Sequence, residues 1–213
     1  MDSKEFIARK VASFFKAGDV VNLGIGLPTM IGNYIADGVW LHTENGLLGY
    51  GPTPEKGKED EDLVGAGAQY LTVIPGASSF DSALSFAIVR GGHLAATVLG
   101  ALEVDEEGNI ANWSRPGRIV GMGGAMDLVN GARQVIVAME HTAKGSKKIL
   151  KKCKLPLTGS KVVNKIVTEL CVLDITPNGL VLKELTSGVT IDQVREQTDA
   201  SLIIPNNTGI MTV

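Results

Sequence analysis

The sequence predicts an α/β fold: an open, mostly parallel sheet flanked by helices, with an antiparallel hairpin late in the chain. Three observations predict it. Short apolar runs, among them Val20–Leu23 and Val135–Ala138, are too brief for helices and read as strands buried on both faces. Helical patterns stand between such runs, and glycine clusters mark the strand-to-helix turns. Near the end, Pro177-Asn178-Gly179 joins two apolar stretches in the manner of a tight hairpin.

The elements follow in order. Ser3 to Ala17 reads as a helix, with Ile7, Val11, Phe14 and Phe15 on one face, Ser3 as cap and Gly18 as a left-handed stop. Val20–Leu23 is a strand. The chain turns through Gly24-Ile25-Gly26 into a helix opened by Pro28, which suits a first helical turn, and Gly38 ends it. Val39 to Thr43 forms a second strand with Glu44 at its carboxyl end. Asn45 to Glu61, rich in Gly, Pro and charge, reads as a long loop. Leu71–Ile74 and Ala95–Leu99 are expected as core strands, with a turn at Asp105–Asn109. Gly121–Gly124 leads into a helix from about Ala125 to Val129, and Val135–Ala138 is the next strand. Cys171–Ile175 and Leu180–Leu185 make the late hairpin, and Thr190 with Gln193 forms a capping box for a last helix. No internal repeat or clean linker interrupts residues 1–213, so one domain is expected.

Composition narrows the function. The chain has 213 residues and a net charge of −3, which argues against a general nucleic-acid or anionic-membrane binder. Aromatic residues are 5%, too few for a single-strand stacking platform. Hydrophobic residues at 44% and a mean hydropathy of +0.16 hint at a buried subunit interface. Cys153 and Cys171 lack metal or redox spacing and read as buried free thiols in a reducing cytosol; His42, His93 and His141 are scattered. No metal site is expected. No apolar run approaches eighteen residues and no signal-peptide pattern opens the chain, so a cytoplasmic location is expected.

The residues that could carry chemistry begin with Glu44. Ligands of open α/β sheets sit outside the carboxyl ends of the strands, and a carboxylate there can attack an activated acyl group. The plain alternative is a strand-end glutamate paired with a lysine. Gly24 and Gly26, and then Gly123 and Gly124, could bring backbone N–H groups close enough to form an oxyanion hole, helped by the helix start after Gly124. They could equally be packing devices. Gly24-x-Gly26, with Glu44 twenty positions on, also mimics a dinucleotide fingerprint, which would suit a nicotinamide-dependent oxidoreductase. Thr29 stands at its third glycine, however, and Pro28 removes a donor. Asn112, next to Trp113, could place an amide beside the site or anchor a loop. The lysines from Lys144 to Lys154 could steer phosphates or form the solvated face of a helix.

Six segments in register carry a further signal: Asn22–Pro28, Glu44–Gly46, Leu71–Ala77, Arg90–His93, Ala111–Trp113 and Gly121–Asp127. Together they resemble the β subunits of bacterial 3-oxoacid and butyrate–acetoacetate CoA-transferases, and the C-terminal half of the animal succinyl-CoA:3-oxoacid transferase. The resemblance implies the CoA-transferase fold, shared with ribose-phosphate isomerases, and a separate α subunit as partner. Glu44 falls on the family nucleophile, Asn22 on the asparagine near the thioester carbonyl, and Gly123, Gly124 and Ala125 on the oxyanion loop; Thr43 stands where the family has serine. It implies a ping-pong exchange of CoA between short-chain acids such as acetate, butyrate and acetoacetate. Coenzyme A is then a substrate, and no cofactor is needed. A non-catalytic subunit, or a sugar-phosphate isomerase on the same fold, is the other reading.

Overall fold

The computed structural model describes residues Met1–Val213. In chain order its helices are α1 (Ser3–Ala12), α2 (Leu27–Met30), α3 (Ser82–Arg90), α4 (Ala125–Gly131) and α5 (Ile191–Gln197). The first nine strands are β1 (Val20–Leu23), β2 (Trp40–Thr43), β3 (Leu47–Tyr50), β4 (Val73–Ser79), β5 (Ala96–Leu99), β6 (Glu103–Asp105), β7 (Ile110–Ala111), β8 (Ser114–Arg115) and β9 (Arg118–Ile119). The rest are β10 (Val135–Ala138), β11 (Thr142–Ala143), β12 (Ser146–Lys147), β13 (Ile149–Leu150), β14 (Lys165–Val167), β15 (Cys171–Thr176), β16 (Gly179–Thr186), β17 (Leu202–Ile203) and β18 (Gly209–Met211).

One large sheet runs β17-β16-β15-β14-β10-β5-β1-β2-β3-β4, with β18 also paired to β16. Its centre, β14-β10-β5-β1-β2, is parallel throughout. Parallel strands are buried on both faces, and β5 and β10 are buried at every position. Side chains alternate between two cores with a period of two. Val135 and Val137 pack with Val89 of α3 and Leu128 of α4, while Ile136 and Ala138 pack with Ile7 and Val11 of α1. Each of these valine, leucine and isoleucine side chains contributes about 1.5–3 kcal/mol by leaving water. No helix is long and apolar enough to cross a membrane.

Several expectations change. The helix at the start is capped by Asp2, whose Oδ1 accepts from the Glu5 N–H at 2.7 Å, rather than by Ser3. It ends at Ala12, where the Ser13 hydroxyl donates to the Lys10 carbonyl, and Gly18 instead brings the chain to Gly38. The helix after Pro28 is only four residues long, followed by a 3₁₀ turn at Ile31–Asn33. Asn45–Glu61 is not one loop: Leu47–Tyr50 is β3, antiparallel to β2, so that side of the sheet is also antiparallel. Leu71–Ile74 is not a core strand. The strand there is β4, which starts at Val73, lies at the sheet edge and is largely exposed. The Lys144–Lys154 stretch holds the strands β12 and β13 in place of a helix. Cys171 is buried, but Cys153 is only partly so. The β15–β16 hairpin and the Thr190–Gln193 capping box stand as expected. Helix α3, which the sequence pattern did not reveal, places Ser85 against β2 just before Glu44.

Candidate active site

Between β1 and β5 the sheet reverses its strand order, β2 lying to one side of β1 and β5 to the other. Ligands of open α/β sheets bind at such a switch point, beyond the carboxyl ends of the strands. A cavity of ≈ 490 Å³ opens there. Its wall includes Asn22 and Gly24 from the end of β1, Thr43 and Glu44 from β2, and Leu99 and Gly100 from β5.

The β2–β3 hairpin sets Glu44. Thr43 pairs with Leu47, leaving Glu44-Asn45-Gly46 as a three-residue loop. Such loops need a left-handed residue, and Gly46 has φ +116°. A side chain at Gly46 would also meet the Phe80 carbonyl at 1.9 Å. The Leu47 N–H donates to Thr43 Oγ1 at 3.1 Å, and the Asn45 amide donates to the Val64 carbonyl at 2.8 Å. Glu44 therefore leaves the sheet from a braced turn and lines the cavity.

One carboxylate oxygen accepts from the Gly124 N–H at 3.3 Å. No lysine or arginine lies within ion-pair distance, so the strand-end ion pair is absent. Burial pushes the Glu44 carboxyl above its ordinary range, and the Gly124 N–H opposes that rise in part. Gly124 must be small: a Cβ there would sit 2.9 Å from Glu44 Cδ and Oε2 and from the Phe86 ring.

Behind the loop lies a buried polar chain. Thr97 Oγ1 donates to Asn22 Oδ1 at 3.2 Å, and Asn22 Nδ2 donates to the His42 carbonyl at 3.1 Å and approaches His42 Nδ1 at 3.4 Å. His42 Nε2 meets Ser85 Oγ at 3.0 Å, and Ser85 donates to the Thr43 carbonyl at 3.3 Å. Burial lowers the His42 pKa to about 4, so the ring is neutral near pH 7. With Nδ1 accepting, Nε2–H donates to Ser85 and every member is satisfied. The chain ties β5, β1, β2 and α3 together behind Glu44.

The other expected residues divide. Asn112 lines the cavity, where its Oδ1 accepts from Thr158 and its amide donates weakly to the Gly100 carbonyl. Gly123 and Ala125 also line it, but the Ala125 N–H is spent on the Met122 carbonyl, whereas the Gly123 N–H makes no bond within the chain. The Gly24 N–H donates to the Val98 carbonyl at 2.8 Å, and a Cβ on Gly24 would strike Leu99. Gly24 is thus a packing glycine, not an oxyanion donor. Gly26 stands outside the cavity wall. Asn22 lines the cavity, and within the chain its amide donates to the His42 carbonyl. Helix α4, seven residues long, supplies single N–H groups and not an extended dipole.

Sequence reasoning missed Ala66, Gly67 and Gln69 in the wall, and His42, Ser85 and Thr97 behind it. Only His42, two residues before Glu44 on the same strand, carried a local signal. No group of three or more His, Cys, Asp or Glu residues is placed to hold a metal ion. His141 is also buried, between Thr168 and Thr198, away from this cavity.

Comparison with known proteins accords with this geometry. The family model described as coenzyme A transferase matches residues 4–197. The chain is 53% identical over 204 residues to the beta chain of an acetate CoA-transferase of Escherichia coli, covering 94% of this chain and 93% of that one. It is 50% identical over 207 residues to one component of a probable succinyl-CoA:3-ketoacid coenzyme A transferase of Bacillus subtilis, covering 95% and 96%. Among solved structures, an acyl-CoA transferase of Escherichia coli O157:H7 shares the fold with a TM-score of 0.80 at 22% identity. That match covers 99% of this chain but 43% of the other.

Proposed function

Since this chain belongs to the coenzyme A transferase family and is one component of a CoA-transferase, we propose that Glu44 carries CoA covalently between two short-chain carboxylic acids. A carboxylate oxygen of Glu44 attacks the acyl carbon of an acyl-CoA. The C–S bond breaks and CoA leaves as thiolate with the electron pair, giving a mixed anhydride. The thiolate then attacks the glutamyl carbonyl, and the donor acid departs as its carboxylate. The glutamyl-CoA thioester so formed passes CoA to an acceptor acid by the reverse steps.

The observation that carries this reading is the Glu44 carboxylate itself: partly buried, free of any cation, and held by one backbone N–H at the mouth of three strands. A salt-bridged glutamate would be a poorer nucleophile. The unspent Gly123 N–H, beside Glu44, is the donor we assign to the developing oxyanion. Acetate, butyrate and acetoacetate are the acids proposed, with no cofactor beyond CoA as substrate.

The reaction also needs water excluded, because hydrolysis would destroy the thioester. Ile25 at 69% exposure and Val120 at 66% stand on the cavity wall with nothing over them. We assign their cover to an α subunit, whose surface completes the site in the cytoplasm. The Gly24–Gly26 turn gives little support to a nicotinamide enzyme, since the helix after it is four residues long and begins Leu27-Pro28.

The test is to mix the αβ assembly with acetoacetyl-CoA, trap it, and locate the adduct by mass spectrometry. CoA mass on the peptide bearing Glu44, and its absence in Glu44→Ala, is the expected result. An adduct elsewhere, or none, rules the mechanism out.

A further inference from the structure

Three asparagines in this chain stand directly before glycine: Asn45, Asn130 and Asn178. The pair is chemically labile, because a glycine nitrogen with no Cβ beside it can reach the asparagine side-chain carbon. The reaction needs two freedoms. The amide must swing toward the main chain, and the following peptide must turn to meet it.

The fold withholds both at two of the sites. The Asn45 amide donates to the Val64 carbonyl at 2.8 Å. Gly46 is pinned on either side, its N–H donating to the Thr43 carbonyl at 3.1 Å and its carbonyl accepting from the Phe80 N–H at 2.9 Å. A Cβ on Gly46 would meet the Phe80 carbonyl at 1.9 Å, so the peptide has no room to rotate. Asn130 lies in the last turn of α4, where its amide donates to the Met126 carbonyl at 2.7 Å. A Cβ on Gly131 would meet the Val89 carbonyl at 2.3 Å. Asn178 differs. It is exposed at the tip of the β15–β16 hairpin, and its side-chain amide makes no hydrogen bond within the chain. It lines an open hollow of ≈ 450 Å³. A Cβ on Gly179 would meet only the Ile203 Cδ1 methyl, at 3.4 Å. Beyond the closing pair Thr176–Gly179, the tip is tied through the Thr176 hydroxyl, which accepts from the Asn178 N–H at 3.2 Å and donates to the Gly179 carbonyl at 2.9 Å.

We propose that Asn178 is a site of spontaneous covalent modification, losing its amide to give aspartate and isoaspartate, while the fold protects Asn45 and Asn130. The Gly179 nitrogen attacks Asn178 Cγ. The new C–N bond closes a cyclic imide, the old C–N bond breaks, and the side-chain nitrogen leaves as ammonia with the Gly179 amide proton. Water then opens the imide. Cleavage at Cγ gives aspartate on an ordinary main chain; cleavage at the main-chain carbonyl routes the chain through the side chain and lengthens it, as isoaspartate. Either product sets a carboxylate in a hollow already lined by Glu106 and Glu107, where Lys161 is the one cation. Strand β15 runs antiparallel to β14, so this turn lies by the start of β14, on the side of the sheet away from Glu44. Asn45, beside the nucleophile, is the asparagine whose loss would alter the site, and it is held.

The experiment ages the αβ assembly in mildly alkaline buffer, with a parallel sample unfolded in urea. Peptide mass mapping follows amide loss at the three asparagines, and methyl transfer by an isoaspartyl methyltransferase counts the isoaspartate formed. In the native sample Asn178 should convert at least about ten-fold faster than Asn45 or Asn130, and in urea the three rates should converge, because unfolding removes the local protection. Asn178→Gln, a change at an exposed tip, should leave the native sample without methyl-accepting sites. Equal native rates, or a faster rate at Asn45 or Asn130, would overturn the proposal, as would an intact Asn178 in a native sample whose urea counterpart reacts. A preference for Asn178 that persists undiminished in urea would trace it to local sequence and overturn the role given to the fold.

Discussion

Gly124→Ala tests the site most directly, because its effect on chemistry and its effect on folding should separate. Gly124 has φ −82° and ψ 2°, the negative-φ conformation of the second central residue of a type I turn, which alanine can also occupy. The backbone therefore offers no objection, and the loss of glycine's freedom in the unfolded chain would by itself stabilise by about 0.4–1 kcal/mol. The obstacle is Glu44. The new Cβ would stand 2.9 Å from its Cδ and Oε2, against a comfortable carbon contact of about 3.5–4.0 Å, so the carboxylate must retreat by roughly 0.6–1.1 Å. Phe86, at the same 2.9 Å, blocks the simplest relief, which is movement of the new methyl itself. A misplacement near 1 Å costs on the order of 100-fold in rate. The retreat also lengthens the Gly124 N–H contact, already 3.3 Å. The αβ assembly carrying Gly124→Ala should thus lose about 100-fold or more in kcat/KM, while crowding against Phe86 and Glu44 costs about 1–3 kcal/mol of unfolding free energy, offset in part by the lost freedom of glycine. Steady-state transfer and urea unfolding measure the two. Near-normal transfer would show that Glu44 does not work from this position.

Glu44→Asp should lose activity by orders of magnitude, since the carboxylate withdraws by about one bond, and normal transfer in that variant would exclude Glu44 as nucleophile. Gly46→Ala should destabilise by about 2 kcal/mol or more, because its φ of +116° and the Phe80 carbonyl at 1.9 Å both oppose a side chain; an unchanged urea midpoint would contradict the hairpin geometry. Because burial raises the Glu44 pKa and the nucleophile must be ionised, the acid limb of kcat/KM should lie above the ordinary carboxylate value of 4.5. A limb below that value would refute it. Burial lowers His42 and His141 from 6.5 to about 4, so between those pH values the unfolded chain binds more protons than the folded one. Stability is complete above pH 6.5 and falls as pH drops toward 4, by up to about 3 kcal/mol per histidine at about 1.36 kcal/mol per pH unit. His42→Gln should remove its share of that slope, and an unaltered curve would show that His42 is not held neutral.

The central strands were legible because burial on both faces leaves an unbroken apolar run. Val20–Leu23 matches β1 residue for residue, and Val135–Ala138 matches β10. The antiparallel side was less so. Leu47-Leu48-Gly49-Tyr50 follows Gly46 at once and carries a second glycine, so it read as loop, although Gly46 was the turn of a hairpin and not the start of irregular chain. Strand β4 misled in another way. Apolar letters at Leu71–Ile74 suggested a core strand, but an edge strand can expose the same letters, and only the pairing with β3 decides between them. Helix α3 was missed although Asp81 caps it, its Oδ1 accepting from the Leu84 N–H at 2.8 Å.

In the site, residue type was readable and hydrogen-bond commitment was not. Glycines at 24, 26, 123 and 124 all qualify by letter as places where a backbone donor can approach a substrate. Only the fold distinguishes them: the Gly24 N–H is held by Val98, the Gly124 N–H by Glu44, and Gly26 is off the wall, which leaves Gly123 unspent. Asn22 followed the same rule in reverse. Its amide is the right group for a thioester carbonyl, yet Thr97 and His42, far apart in sequence, occupy its oxygen and its nitrogen. A one-dimensional reading identifies donors, but it cannot subtract those that other parts of the chain have already taken. Here the subtraction matters chemically, because among those four glycines it leaves only the Gly123 N–H free beside Glu44, with a neutral, fully bonded scaffold behind it. Such a scaffold fixes the loop without adding a positive charge that would pull the Glu44 pKa down and weaken its attack.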